Sequence, residues 1–98
     1  MTPRFSVRAI PQFRRAAERL TAQHPTFSPL LARAIEILEA DPANVRRQHH
    51  IKKLTDVRPG HGQWRLRLGR FRFRYDITGS AVELIDCGIR REDTYRER

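Results

Sequence analysis

From Trp64 to Tyr75 the chain alternates apolar and cationic residues with a period of two, WRLRL then FRFRY, broken once by Gly69-Arg70. Alternation of this kind is the mark of half-buried strands, each with one face in a core and one in water. If Gly69 and Arg70 form a two-residue turn with glycine at its first central position, the pairing follows. Leu68 then faces Phe71, Arg67 faces Arg72, Leu66 faces Phe73 and Arg65 faces Arg74. Four arginines therefore share one face of one hairpin. Like charges directly opposite each other destabilise a strand pair, by roughly 0.8 kcal/mol for charges about 5 Å apart in bulk water. A sequence shaped by folding alone would avoid this arrangement, so the face awaits an anion.

The flanking segments supply a core for that hairpin. Phe5 to Ile10 reads as a first strand, with Phe5, Val7 and Ala9 on one side. Pro11 opens a helix whose Phe13, Ala16, Ala17 and Leu20 recur at helical spacing, ending near His24-Pro25. A second helix is expected from Ser28 as N-cap and Pro29 at the first helical position, with Leu31, Ala34, Ile35 and Leu38 as its stripe and Asp41-Pro42 as its stop. Residues 43–62 read as a loop with a short ordered insert anchored by Ile51 and Leu54, and Thr78-Gly79-Ser80 turns the chain into a last strand, Ala81 to Ile89. The expected fold is α+β in the order β-α-α-β-β-β, a mostly antiparallel twisted sheet with a two-helix hairpin on one face, and one domain over residues 1–98. Trp64, Leu66, Leu68, Phe71, Phe73, Tyr75 and Ile77 would meet the helices, and the uncovered arginine face would form a shallow concave trough.

Composition narrows the ligand. No stretch approaches the 18 apolar residues of a membrane span, and the N-terminus lacks the long apolar segment of a signal peptide, so a cytoplasmic location and no membrane contact are expected. Cys87 is the only cysteine, which excludes an internal disulfide and a multi-cysteine zinc site; it reads as a small buried residue, and neither metal nor cofactor is expected. Of the net charge of +9, residues 1–44 carry +2 (six basic, four acidic) and residues 45–98 carry +7 (fourteen basic, seven acidic). The basic field thus belongs to the half that holds the hairpin, and it favours nucleic acid or an acidic protein as partner. Arginine supplies 18 of the 20 cations, and its planar fork suits bidentate phosphate contact.

Between Ile51 and Tyr95 the chain carries IKKL, then QWRLRLGRFRFRYDI, then a strand ending CGIRREDTY. In these blocks, and in length, charge and element order, it resembles the RelE/ParE superfamily of bacterial type II toxins. The N-terminal half matches only in pattern. Two branches of that superfamily share one fold. The resemblance to RelE-type members implies a ribosome-dependent endoribonuclease that cleaves mRNA in the ribosomal A site by metal-free attack of the 2′-hydroxyl on the adjacent phosphate, neutralised by a cognate antitoxin protein. Resemblance to ParE-type members implies a DNA gyrase inhibitor, and a non-catalytic basic RNA-binding domain is a third reading.

Carried over position by position, the resemblance implies a catalytic set of Arg65, Arg67, Arg72, Arg90 and Tyr95. Phosphoryl transfer spreads negative charge over non-bridging oxygens, which fixed guanidinium groups stabilise without a metal ion; Arg72 and Arg90 are assigned to this. Tyr95 is assigned to proton transfer, as base or acid. The best-known ribonucleases of the family place lysines where this chain has Arg65 and Arg67. Arginine cannot act as a general base at ordinary pH, so these two are expected to orient and neutralise. Arg46, Arg47, Lys52, Lys53, His61, Arg74 and Arg91 are candidate RNA contacts. His61, set between Gly60 and Gly62, is the histidine to test; His49 and His50 read as solvated loop residues. Trp64 could stack on a base, but its phase assigns it to the core.

Overall fold

The hairpin alternation is realised residue for residue. In the computed structural model, which describes residues 5–89, β3 (Trp64–Leu68) and β4 (Phe71–Thr78) pair antiparallel. Leu68 lies opposite Phe71, Arg67 opposite Arg72, Leu66 opposite Phe73 and Arg65 opposite Arg74. Gly69 takes φ +58° while Arg70 keeps a negative φ, the combination that a two-residue turn with glycine first requires. Leu66, Phe71, Phe73 and Tyr75 are fully buried.

Around this pair the chain adds β1 (Ser6–Ala9), α1 (Pro11–Gln23), α2 (Phe27–Ala40), β2 (Ile51–Lys53) and β5 (Ala81–Ile89). The sheet order is β1-β5-β4-β3-β2, with β1 parallel to β5 and every other pair antiparallel. Both helices cover one face. Phe13, Ala16 and Leu20 of α1 and Phe27, Ala34, Ile37 and Leu38 of α2 form one cluster with the buried residues of β3, β4 and β5. Phe27 stacks on Phe73 and meets Phe71 edge to face, at centroid distances of 5.9 and 5.1 Å. Tyr75 stacks on Trp64 and donates its hydroxyl to the carbonyl of Pro42 at 2.6 Å, which ties the end of α2 to the middle of β4.

Four local features differ from the expectation, each for a physical reason. The insert in residues 43–62 is a true edge strand, β2, paired to β3 through Ile51–Leu66, Lys52–Arg65 and Lys53–Trp64, so the order is β-α-α-β-β-β-β. The second helix starts at Phe27 with Thr26 as its cap residue, not at Ser28, and without a side-chain capping bond. Burying Phe27 contributes about 1.5–3 kcal/mol, more than the ~1 kcal/mol of a serine cap. Pro29 then falls in the first turn, where its missing N–H has no intrahelical partner to lose. The apolar stripe of α2 centres on Phe27, Ala34, Ile37 and Leu38, with Leu31 and Ile35 only partly buried. Finally, β5 carries a bulge: Leu84 pairs with Tyr75 and Asp86 with Arg74, leaving Ile85 as the extra residue. Ile85 is buried, yet outside the cluster beneath the helices.

A polar clamp holds the loop between β2 and β3. Asp76, 4% exposed, lies on the arginine side of β4. Its carboxylate accepts the backbone N–H of Gly60 (2.9 Å), Gly62 (3.1 Å) and Gln63 (2.8 Å). Gly62 sits at φ +83°, and a Cβ built there would stand 2.9 Å from the Cβ of Arg74, so glycine is required for the loop to reach the strand. Asp76→Ala leaves three N–H donors without their acceptor, two of them on residues shielded from water. We expect a loss of about 3 kcal/mol, read as a lower midpoint in urea unfolding.

Candidate functional site

The uncovered sheet face is built in rows that run across the strands. One row reads Lys52, Arg65, Arg74, Asp86 from β2 to β5. The next reads Arg67, Arg72, Gly88 from β3 to β5, and its edge is closed by the Arg67 N–H donating to the carbonyl of His50 at 3.0 Å. The opposed arginines foreseen on β3 and β4 are therefore present, and β5 ends the two rows differently. One row ends on a carboxylate. The other ends on a glycine, which adds no side chain and leaves space beside Arg72. A third row, Arg8, Glu83, Asp76, carries one cation and two carboxylates, with Arg8 and Glu83 3.5 Å apart at the surface.

Where the first two rows meet, a cleft of about 270 Å³ opens, lined by Arg65, Arg72, Arg74, Asp86 and Gly88 together with Leu54, Cys87 and Ile89. The four hairpin arginines are all half-buried. Arg74 binds the neighbouring loop. Its Nε donates to the carbonyl of Gly62 at 2.8 Å and its Nη2 to that of His61 at 3.0 Å. These bonds spend two directed donors on the loop that Asp76 also holds. Arg74 thus positions the cleft wall, and part of its capacity as an RNA contact is already used.

The remaining candidates are distributed unevenly. Lys52 is exposed on the arginine side opposite Arg65. Lys53 points the other way, with Nζ 5.6 Å from the centroid of the Trp64 ring, so it covers the core-side indole and does not join the cleft. Arg67 shares a row with Arg72 but is not part of the cleft lining. His61 is exposed on the clamped loop, contributing its carbonyl to Arg74. Arg90, Arg91 and Tyr95 lie outside the described residues, which end at Ile89 opposite Phe71.

Arg46 and Arg47 stand on a separate basic knuckle between α2 and β2. Asn44 and Arg47 there have φ of +57° and +56°. The conformation is held by Asn44, which exchanges two hydrogen bonds with the backbone of His49, and by Asp41. Asp41 accepts the N–H of Val45 at 2.8 Å and of Arg46 at 3.0 Å. Burial alone would raise the Asp41 pKa, but these two N–H groups and the nearby His49 and Arg46 outweigh it and hold the carboxyl below its usual value.

Of the titratable groups on β5 near the cleft, Asp86 escaped the sequence reading, while Cys87 is buried as that reading expects. Asp86 reaches the cleft because the bulge at Ile85 turns it there; its Oδ1 accepts the N–H of Cys87 at 2.9 Å. Cys87, in turn, faces the core opposite Phe73. Burial, with the Asp86 charge adding to it and Arg19 working against it, pushes its thiol up to about 12. Among the described residues, no group of three His, Cys, Asp or Glu could hold a metal ion, and no helix is long and apolar enough to cross a membrane.

No protein-family model matches the chain, and no curated protein matches it. Solved structures do. The chain is similar to one in the toxin-antitoxin complex RelBE2 from Mycobacterium tuberculosis, with a TM-score of 0.67 and 24% identity over 92% of this chain and 94% of that one. It is similar also to a chain of the archaeal RelE-RelB complex from Pyrococcus horikoshii OT3, with a TM-score of 0.61 and 24% identity over 91% and 98% of the two chains. At this identity the likeness establishes a shared fold.

The Cys87 thiol provides a check on this burial. A pKa moved from the usual 9.0 to about 12 lowers the thiolate fraction about a thousandfold at neutral pH. Iodoacetamide should therefore alkylate the folded protein about a thousand times more slowly than the urea-unfolded chain, and comparable rates would show that Cys87 is open to solvent.

Proposed function

We propose that this protein is the toxin of a type II toxin-antitoxin pair and acts as a metal-independent endoribonuclease on mRNA in the ribosomal A site. The observation that carries the reading is the open cleft on the uncovered sheet face, where Arg65 and Arg72 stand together beside a glycine that leaves room for a phosphate. The resemblance of residues 51–95 to RelE-type toxins supports it. So does the likeness in fold to chains from two RelB-RelE complexes.

The chemistry assigned to each residue follows from its charge and position. Arg72 and Arg90 stabilise the charge that develops on the non-bridging oxygens, and Arg65 and Arg67 orient and neutralise the approaching backbone. Tyr95 takes part in proton transfer. Lys52, Arg46, Arg47, His61 and Arg91 extend the basic surface along which the RNA runs, a role in which each contact adds salt sensitivity more than sequence preference. The same cationic face suits the partner that silences it. A cognate antitoxin would present an acidic or amphipathic segment whose carboxylates replace the phosphate.

Purified protein added to a translation reaction should produce discrete cuts in the mRNA. Arg72→Ala should lower the cutting rate roughly a hundredfold or more with thermal unfolding unchanged, and Tyr95→Phe should lower it as well. Intact mRNA together with blocked DNA supercoiling would assign the protein to gyrase inhibition instead. Neither effect would leave a basic binding domain.

A further inference from the structure

Among the described residues, the arginine-rich cleft contains one carboxylate, and the ribonuclease reading gives it no role. Arg65, Arg72 and Arg74 line the cleft from β3 and β4, with Lys52 next in the row on β2. None of the three arginines can accept a proton at ordinary pH. Cys87 lies beneath the cleft with its side chain committed to the core. Asp86 is the remaining titratable group in the lining. One of its oxygens, Oδ1, accepts the Cys87 N–H, which helps to orient the carboxylate. It stands opposite Arg74 and two residues before Gly88, beside the space that the glycine leaves next to Arg72.

Building on that ribonuclease reading, we propose that Asp86 is the proton acceptor of the reaction. The 2′-hydroxyl of the bound nucleotide gives its proton to the Asp86 carboxylate as the 2′-oxygen forms its bond to phosphorus. The bond from phosphorus to the 5′-oxygen breaks. The departing 5′-oxygen takes a proton from water, and Asp86 returns its proton to solvent. The products are a 2′,3′-cyclic phosphate and a 5′-hydroxyl. The role answers a chemical need that the arginines create: neither Arg65 nor Arg67 can accept a proton at ordinary pH, so the base must come from elsewhere. A carboxylate can occupy a phosphate site here because guanidinium groups surround both.

A second role for Asp86 would be to balance the charge of Arg74, and the experiment separates the two. Cleavage is measured in single turnovers on purified ribosomes programmed with mRNA, alongside cosedimentation for binding and thermal unfolding for integrity. Asp86→Asn should cut roughly a hundredfold or more slowly while binding stays within a few-fold, and Asp86→Glu should keep part of the activity. Asp86→Ala should regain activity in proportion to added formate and not with the same concentration of chloride, because formate can enter the vacated space and take the proton. Wild-type rates in Asp86→Asn, or an Asp86→Ala rate that responds equally to formate and chloride, would overturn the proposal and leave the ribonuclease reading standing. An intact mRNA with the wild-type protein would remove the reading itself, and the role of Asp86 with it.

Discussion

The burial of Leu66, Phe71, Phe73 and Tyr75 against the two helices locks β3 to β4, and the rest of the sheet depends on that lock. Side chains alternate along a strand, so a slip of one residue would drive Arg65, Arg67, Arg72 and Arg74 into the core. Burying each aromatic or leucine side chain contributes about 1.5–3 kcal/mol, against roughly 0.8 kcal/mol for each opposed pair of arginines in water. The apolar face therefore dictates the register, and the cationic face has to accept it. Crowded arginines are a consequence the core can bear.

What limits that crowding is the way the polar face is braced. Asp76 and Arg74 alternate on the outer side of β4, and both bind the same loop in opposite senses. The carboxylate takes backbone N–H groups, and the guanidinium gives to backbone carbonyls. The loop backbone thereby satisfies a buried anion and a half-buried cation at once, and neither needs a counterion from bulk water. Arg74 lines the cleft beside Arg65, Arg72 and Asp86 while two of its donors are held by the loop. The brace fixes a cleft arginine through the loop backbone, a distinction that alternation in the sequence does not show.

The hairpin was legible because one strong periodic pattern and one glycine turn act together there. The edge at β2 was harder to read. β2 is three residues long, too short for alternation to show, and it exists because β3 offers an open edge. The start of α2 was misread because serine and proline make a strong local capping signal, and that signal loses to a distant fact, the pocket that Phe71 and Phe73 provide for Phe27. On β5 the pattern held a contradiction. Strict alternation from Val82 and Leu84 would place Asp86 in the core and Ile85 and Cys87 outside. Burying an unpaired carboxylate is costly enough that the strand must break phase between Leu84 and Cys87. That reasoning recovers the bulge and brings Asp86 to the arginine face. The candidate site was thus half legible: its cations follow from period two, and its acid follows only once the defect in that period is taken seriously.

A carboxylate in a phosphate-binding cleft must be reconciled with the repulsion it brings. Two like charges about 6 Å apart repel by roughly 2.8 kcal/mol at an effective dielectric constant of about 20. A guanidinium at the same distance from the phosphate offsets that amount, and two more than offset it. Arg65, Arg72 and Arg74 line the cleft with Asp86, so the cations around a phosphate entering it outnumber the carboxylate. Arginine in place of lysine is then more than a change of cation. Lysine can neutralise a phosphate and also trade a proton, whereas arginine does only the first, so a site built on arginines divides the two tasks between side chains. In the proposed site the division falls between strands: charge on β3 and β4, a carboxylate on β5, joined across the sheet by the bulge that turns Asp86 toward them.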